Sequence, residues 1–249
     1  MQTGKSVSIA SVLADLEKDG VISAQSSAIL KTQDREIPMP QIKVGFEDPV
    51  YAAIVIDNSP SMEPYRDAVI QSQNQLLQVL RGSALCRKNA LLVAEYLFSG
   101  SLRQLKEFTP LDPSGNDEVP KLTTANYTFE PATALYQSVF QVLQDIAVYV
   151  EFTRKQFVSA TFTISVITDG ADNHSSIEPG EVKLLIQDMR KKGYLRKSVV
   201  VGLTGTDLTA DKVNEIRDVM GFDEAIAIDR NPSEIRRAFD MVSKSIARG

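Results

Sequence analysis

Residues 54–62 read Ile-Val-Ile-Asp-Asn-Ser-Pro-Ser-Met, an apolar run that turns polar at Asp57. The β-rich apolar run begins at residue 51, and a polar loop follows it directly. Asp57, Ser59 and Ser61 occupy alternate positions, so an extended chain points their oxygens the same way. The stretch therefore predicts a buried strand that ends in one carboxylate and two hydroxyls.

From residue 50 onward, short β-rich runs alternate with longer segments of helical periodicity. The predicted strands are 51–56, 91–98, 102–108, 161–167, 198–203 and 225–228, and the predicted helices are 64–80, 134–152, 179–192, 210–220 and 232–247. This pattern indicates an α/β fold, a doubly wound Rossmann-like open sheet with helices on both faces. The tight Ser-Gly-Ser connection at 99–101 suits only an antiparallel pair, so one edge strand should run against the others.

A second strand ends in the same way, because residues 165–170 read Ser-Val-Ile-Thr-Asp-Gly. Thr133 stands just before a long predicted helix and can face the same crevice. In doubly wound folds ligands collect beyond the carboxyl ends of the central strands. Asp57 and Asp169 would repel each other there, and a small divalent cation removes that conflict. Mg²⁺ is the expected ion, with Mn²⁺ or Ca²⁺ as alternatives, because hard cations take oxygen ligands.

Composition excludes several classes of site. The chain has 1 cysteine and 1 histidine, which rules out an internal disulfide framework, a thiolate zinc site and any metal site with two imidazoles. The net charge is −5, and neither the acidic nor the basic residues form a long run in the sequence. Neither nucleic acid nor a membrane surface is therefore an expected partner. No apolar stretch reaches the roughly 20 residues that span a bilayer, and the expected location is cytoplasmic.

Taken in order, these motifs resemble the von Willebrand factor A (vWA) domain and its metal-ion-dependent adhesion site. The pattern Asp-x-Ser-x-Ser matches residues 57–61, the single threonine of the family matches Thr133, and Thr-Asp-Gly matches residues 168–170. The resemblance covers residues 50–246 and implies an intracellular-type member with strand order 3-2-1-4-5-6, the third strand antiparallel. Ala132 departs from the pattern, because family members commonly have glycine before the threonine.

The resemblance also implies roles for individual residues. Ser59, Ser61 and Thr133 would supply hydroxyl ligands, Thr133 directly or through water. Asp57 and Asp169 would bind the ion directly or through bridging water. An Asp or Glu of another protein would complete the coordination, so the implied function is metal-dependent protein–protein binding in an adaptor, regulatory or assembly role, without catalysis. The residues expected at the partner-binding rim are Met62, Glu63, Asp172, Asn173 and His174.

Other interpretations stay open from the sequence. The two aspartates could cap helices or bond loop amides, and the hydroxyls could form turns. His174 could be a solvated loop residue, and Cys86 is expected to be a small packing residue. The chain could be a structural interaction module without a functional metal. A magnesium-dependent phosphotransfer enzyme is less favoured, because position 59 is serine where such sites want a second acid.

Residues 1–45 differ in composition from residues 46–249, which are expected to form the vWA domain. Ile9, Val12, Leu13 and Leu16 fall at helical spacing, and prolines near residue 40 indicate a linker. One interpretation is a flexible or loosely docked leader. The other is a short amphipathic helix that docks on the main domain or on a partner.

Overall fold

A computed structural model describes residues 6–32, 35–38, 48–88, 91–156 and 158–247 of the protein. Eight strands and eight α-helices lie within these ranges. In chain order they are β1 (Ser6–Ser8), α1 (Ile9–Lys18), α2 (Ala24–Lys31), β2 (Glu36–Pro38), β3 (Val50–Asp57), α3 (Arg66–Arg81), α4 (Ala84–Arg87), β4 (Leu91–Phe98), β5 (Leu102–Pro110), α5 (Leu135–Lys155), β6 (Thr161–Thr168), α6 (Pro179–Lys191), β7 (Leu195–Thr204), α7 (Ala210–Met220), β8 (Glu224–Asp229) and α8 (Pro232–Ala247).

Six strands form the central sheet in the order β5-β4-β3-β6-β7-β8. Every neighbouring pair is parallel except β4 and β5, which are antiparallel across the tight connection at residues 99–101. The order 3-2-1-4-5-6 and the antiparallel third strand are therefore confirmed. The strand order reverses direction between β3 and β6. Open α/β sheets place their ligands at such a point.

Helices cover both faces of the sheet, as the alternating pattern predicted. One core lies between the sheet and α5, α6 and α7, and the other lies between the sheet and α3, α4 and α8. The central strands are mostly apolar because both of their faces are covered: every residue of β3 and β4 is buried, including the polar Asp57 and Glu95. Within the described ranges, no helix is both long and apolar enough to cross a membrane.

The largest boundary errors are at the start of β7, which begins at Leu195 where 198 was predicted, and at the end of α5, which reaches Lys155 where 152 was predicted. The first predicted helix, placed at residues 64–80, also starts too early. Residues Pro60–Tyr65 form a 3₁₀ helix instead, and α3 begins at Arg66. Pro64 lies inside this 3₁₀ helix and cannot donate a backbone hydrogen bond, so regular α-helix starts only after it. Side chains cap the starts of two helices: Thr209 Oγ1 accepts the amide of Lys212, and Asn231 Oδ1 accepts the amide of Glu234.

The N-terminal segment forms a third layer outside the helices. α1 packs on α5 and α2 packs on α6, while β1 and β2 form a short antiparallel ladder. The four apolar residues at helical spacing, Ile9, Val12, Leu13 and Leu16, are all buried. Because α1 covers the outer side of α5, that helix is buried along most of its length. The boundary predicted at residue 45 lies outside the described residues and stays a prediction.

Candidate metal centre

Two strand ends bring the candidate site together. β3 and β6 are parallel neighbours, and their register pairs Ile56 with Ile167. Asp57 and Thr168 therefore emerge side by side at the carboxyl end of the sheet, followed by the 3₁₀ helix on one strand and by Asp169 and Gly170 on the other. The topology thus explains why residues more than 100 positions apart in sequence meet in one crevice.

The two serine hydroxyls have the spacing of neighbouring ligands in a small octahedral site. Ser59 Oγ lies 3.0 Å from Ser61 Oγ, and Ser61 Oγ donates to Asp169 Oδ1 at 2.7 Å. Adjacent ligands of an octahedral Mg²⁺ at about 2.0–2.1 Å are about 2.8–3.0 Å apart. Since the proton of Ser61 goes to Asp169, that of Ser59 goes to Ser61. Both hydroxyl oxygens therefore keep lone pairs for a cation.

Asp57 is fully buried and holds the strand end in place. Its Oδ1 accepts the amide of Ser59 at 2.7 Å, and its Oδ2 accepts the hydroxyl of Thr168 at 2.6 Å. Burial raises the pKa of Asp57 to about 6, and the neighbouring Asp169 adds to this rise, while hydrogen bonds from Thr168 and Ser59 oppose it. A divalent cation in the crevice would stabilise the ionised form.

Asp169 is also buried, and one of its oxygens lacks a hydrogen bond. Burial raises its pKa, although the hydrogen bond from Ser61 and the charge of Arg230 both lower it. Among the described residues, no donor hydrogen-bonds to Oδ2, and Arg230 Nη1 lies 3.6 Å away. A buried carboxylate oxygen without a donor is costly unless something else approaches it. A cation in the crevice would meet that need.

The loop before α5 presents Thr133 to the site. The amide of Thr133 donates to Asn173 Oδ1 at 2.8 Å, and the amide of Asn173 donates back to the Thr133 carbonyl at 2.9 Å. The turn between β4 and β5 adds a second brace, because the Gly100 amide donates to the Pro131 carbonyl at 3.0 Å. A Cβ built on Gly170 would lie 3.5 Å from Thr133 Oγ1, so the threonine hydroxyl faces the Thr-Asp-Gly turn.

Ala132, the departure from the family pattern, has a left-handed backbone with φ of 71°. A left-handed conformation costs an L-residue about 1–2 kcal/mol, whereas glycine adopts it freely. The structure thus follows the path that glycine would favour, with alanine under strain.

We expect Ala132→Gly to raise the free energy of unfolding by about 0.5–1 kcal/mol, because relief of the strain exceeds the entropy that glycine adds to the unfolded chain. Urea denaturation would measure the change. Ala134→Gly is the matched control: Ala134 has φ of −95°, so that substitution should lower stability instead. A loss of stability in Ala132→Gly would contradict the expectation.

The structure places the five residues predicted at the rim in different environments. Met62 was wrongly placed there, because the 3₁₀ helix turns its side chain inward and it is fully buried in the core under α3 and α8. Glu63 and His174 are exposed beside the crevice. Asn173 is exposed but braces Thr133, and Asp172 is half-buried, where it accepts hydrogen bonds from Ser175 and from the first turn of α5.

Sequence reasoning missed three residues that contact the site. Thr168 bonds the Asp57 carboxylate, and it was quoted only as part of the Thr-Asp-Gly turn. Tyr127 is buried and donates to the Asp57 carbonyl at 2.7 Å. Arg230 reaches Asp169 from the loop after β8. Nothing in the sequence around Arg230 marks it, because the contact depends on the order of strands.

The donor set determines which ions the site suits. Within the described ranges no group of three or more His, Cys, Asp or Glu side chains lies together. The crevice instead combines two carboxylates with hydroxyls, which suits a small hard cation and offers nothing to a soft one. The five predicted ligands Asp57, Ser59, Ser61, Thr133 and Asp169 all lie at this end of the sheet.

Comparison with known proteins adds the fold. No family model matches the chain, and no curated protein does. Among solved structures, the PilB minor pilin from Streptococcus sanguinis superposes with a TM-score of 0.56 at 12% identity, covering 83% of this chain and 63% of its own. The vWF domain of the type V pili tip protein Mfa5 from Porphyromonas gingivalis gives 0.53 at 11%, covering 81% and 96%.

An aerotolerance-related membrane protein from Bacteroides fragilis gives a TM-score of 0.51 at 16% identity, covering 80% of this chain and 100% of its own. The protein thus has a vWA-like, Rossmann-like fold. It spans less than two thirds of the PilB structure. At such identities the likeness shows the fold, so the function must be argued from the site.

Proposed function

We propose that the protein is a divalent-metal-dependent protein-binding module, in which a carboxylate of another protein completes the coordination of an ion held by the crevice. The observation that carries this proposal is the spacing of Ser59 Oγ, Ser61 Oγ and Asp169 Oδ1, at 3.0 and 2.7 Å. Neighbouring ligands of an octahedral Mg²⁺ are about 2.8–3.0 Å apart, so the two hydroxyls match this spacing, and the Ser61–Asp169 pair is slightly closer because it is a direct hydrogen bond. The solved structures of similar fold include a minor pilin and a vWF domain of a pilus tip protein, and the proposal fits them.

Each residue has a separate task under this proposal. Ser59, Ser61 and Thr133 offer neutral hydroxyl oxygens, and Asp169 offers a carboxylate oxygen that lacks a hydrogen bond. Asp57 fixes the loop by accepting the Ser59 amide and adds negative charge to the crevice. A bound Mg²⁺, or Mn²⁺ or Ca²⁺ in its place, supplies a positive centre with an open position for an acidic side chain. Glu63 and His174 flank the crevice and would meet the partner's surface.

The same geometry argues against phosphotransfer. A nucleophilic aspartate must present a free oxygen to the phosphorus atom. Both oxygens of Asp57 are occupied, one by the Ser59 amide and one by the Thr168 hydroxyl, and the side chain is fully buried. A binding role without catalysis therefore fits the site better.

Calorimetric titration of Mg²⁺ into chelator-treated protein tests the proposal. We expect one ion to bind per chain, and we expect Ser59→Ala and Thr133→Ala to weaken binding about tenfold or more, because each removes one oxygen ligand. Ser243→Ala is the matched control, since Ser243 is a buried serine of α8 outside the crevice. Partner capture should then require both the ion and an intact site. Equal binding by all the variants would defeat the proposal.

The affinity for Mg²⁺ should fall as the pH drops through about 6. Burial raises the pKa of Asp57 to about 6 in the metal-free protein, so below that pH the ion must displace a proton. We expect affinity to be nearly constant between pH 7 and 8 and to decrease about tenfold per pH unit well below 6. Titration in matched buffers measures this. Affinity that is unchanged at pH 5 would show that Asp57 does not contribute charge to the site.

A further inference from the structure

Arg230 reaches into the metal centre from the loop between β8 and α8. Its Nε donates to the Leu203 carbonyl at 3.0 Å, and its Nη2 donates to the Asp169 carbonyl at 2.5 Å. Its Nη1 lies 3.6 Å from Asp169 Oδ2, the carboxylate oxygen without a hydrogen bond. The side chain is only 16% exposed, so water screens its charge weakly.

The backbone of β7 and its following loop makes room for this guanidinium. A Cβ built on Gly205 would lie 2.9 Å from Arg230 Cζ, closer than real Cβ atoms come. Only a glycine at this position allows the guanidinium to lie where it does. Two carbonyls at the ends of neighbouring strands then fix its position. The positive charge is therefore built into the site independently of the Asp169 carboxylate.

The formal charges show what the Arg230 guanidinium changes in the metal-loaded site. Asp57 and Asp169 each carry one negative charge when ionised, and a divalent cation balances both. Counted over these two aspartates and the ion alone, the loaded site would be neutral. Arg230 adds one mostly buried positive charge, whereas the nearby Asp207 is exposed and its charge is better screened by water. We propose that Arg230 sets the charge of the loaded site, weakening the hold on the metal and selecting an anionic group as the partner's contribution.

This inference rests on the proposed function and goes one step further, because it names the residue that decides which group the metal accepts. A guanidinium 3.6 Å from a carboxylate oxygen of the crevice would repel an ion held there and would attract a carboxylate from the partner. Removing the charge of Arg230 should therefore raise the affinity of the crevice for the metal and lower the affinity of the loaded site for a carboxylate. A residue that only positions Asp169 would give a different result, since its loss would weaken both.

Mn²⁺ is the probe for the affinity of the crevice for metal, and acetate is the probe for the affinity of the loaded site for a carboxylate. Both are measured at pH 8 and constant ionic strength. Free Mn²⁺ is measured by electron paramagnetic resonance, and acetate binding by the loss of metal-bound water in proton relaxation. We expect Arg230→Gln to bind Mn²⁺ about tenfold tighter than the wild type and its loaded form to bind acetate about tenfold more weakly. Arg230→Lys keeps the charge and should stay within about threefold of the wild type in both.

Gly205→Ala is an independent variant, because the added methyl group displaces the guanidinium without removing any charge. Gly205→Ala should shift both affinities in the same directions as Arg230→Gln, by smaller factors. It replaces Arg230→Gln as the test if that variant does not fold. If the variants bind both probes more weakly, or if neither affinity changes, the role of Arg230 is overturned. The proposed function still stands in that case, provided that the wild type binds Mn²⁺. A wild type that binds no Mn²⁺ overturns both.

Discussion

Asp57→Asn should abolish the response to metal and leave the metal-free protein at least as stable as the wild type. Asparagine keeps the shape, and its amide can still accept the Ser59 N–H while donating to the Thr168 hydroxyl. The pKa of Asp57 is raised from 3.8 to about 6, so the stability that this group contributes is fully present below about pH 4 and is lost as the pH rises through 6. At pH 8 the neutral side chain therefore relieves a buried charge.

Thermal melts at pH 8 measure both effects, with chelator and with Mg²⁺ in excess. At an ion concentration 100 times the dissociation constant, the wild type should gain about 2.7 kcal/mol of stability, and Asp57→Asn should gain almost none. Asp211→Asn is the control, because Asp211 is exposed in the first turn of α7 and lies outside the crevice. An Asp57→Asn protein that is stabilised by Mg²⁺ as strongly as the control would contradict the assignment.

Arg35→Met should destabilise the fold by about 3 kcal/mol, because it leaves a buried carboxylate unpaired. Arg35 joins the N-terminal layer to α5: its Nη2 lies 2.5 Å from Asp145 Oδ1, and its Nε donates to Gln144 Oε1 at 2.9 Å. Asp145 is almost completely buried, and its second oxygen accepts the hydroxyl of Tyr96 on β4. Breaking a buried pair from one side typically costs about 3–5 kcal/mol. The lower figure applies because Arg35 is 31% exposed.

Urea denaturation of three variants tests this coupling. Arg35→Met with Asp145→Asn should recover most of the loss, since no unpaired charge is then buried. Lys31→Met is the control, because the pair of Lys31 with Glu17 is exposed at 3.6 Å and contributes little. A loss below about 1 kcal/mol in Arg35→Met would mean that the N-terminal layer is not energetically coupled to the core.

Much of the fold could be predicted because its information is local. The strands are nearly continuous apolar runs, and the short connection at residues 99–101 fixes the antiparallel edge. The candidate ligands could be found because Asp57, Ser59 and Ser61 are close in sequence and follow a predicted strand, although Ser61 lies in the 3₁₀ helix and not in the extended chain that was expected. Their order with Thr133 and Asp169 supplied the family resemblance, and the observed strand order agrees with it.

The rest depends on contacts between segments far apart in the chain. Arg230 meets Asp169 only because β7 and β8 follow β6 in the sheet. Met62 was misplaced because a 3₁₀ helix, whose turn differs from an α-helix, directs its side chain into the core. The packing of α1 on α5 could not be derived either, since an amphipathic stretch shows that it has a partner without showing which surface it covers.

The most direct test of the metal centre is crystallographic: anomalous diffraction from crystals of the protein grown with Mn²⁺. We expect one anomalous peak at the carboxyl ends of β3 and β6, about 2.1 Å from both Ser59 Oγ and Ser61 Oγ, within reach of Asp169. Crystals of Asp57→Asn should show no peak there. A wild-type crystal with saturating Mn²⁺ and no peak in this crevice, or a peak held by other residues alone, would contradict the assignment of the metal centre.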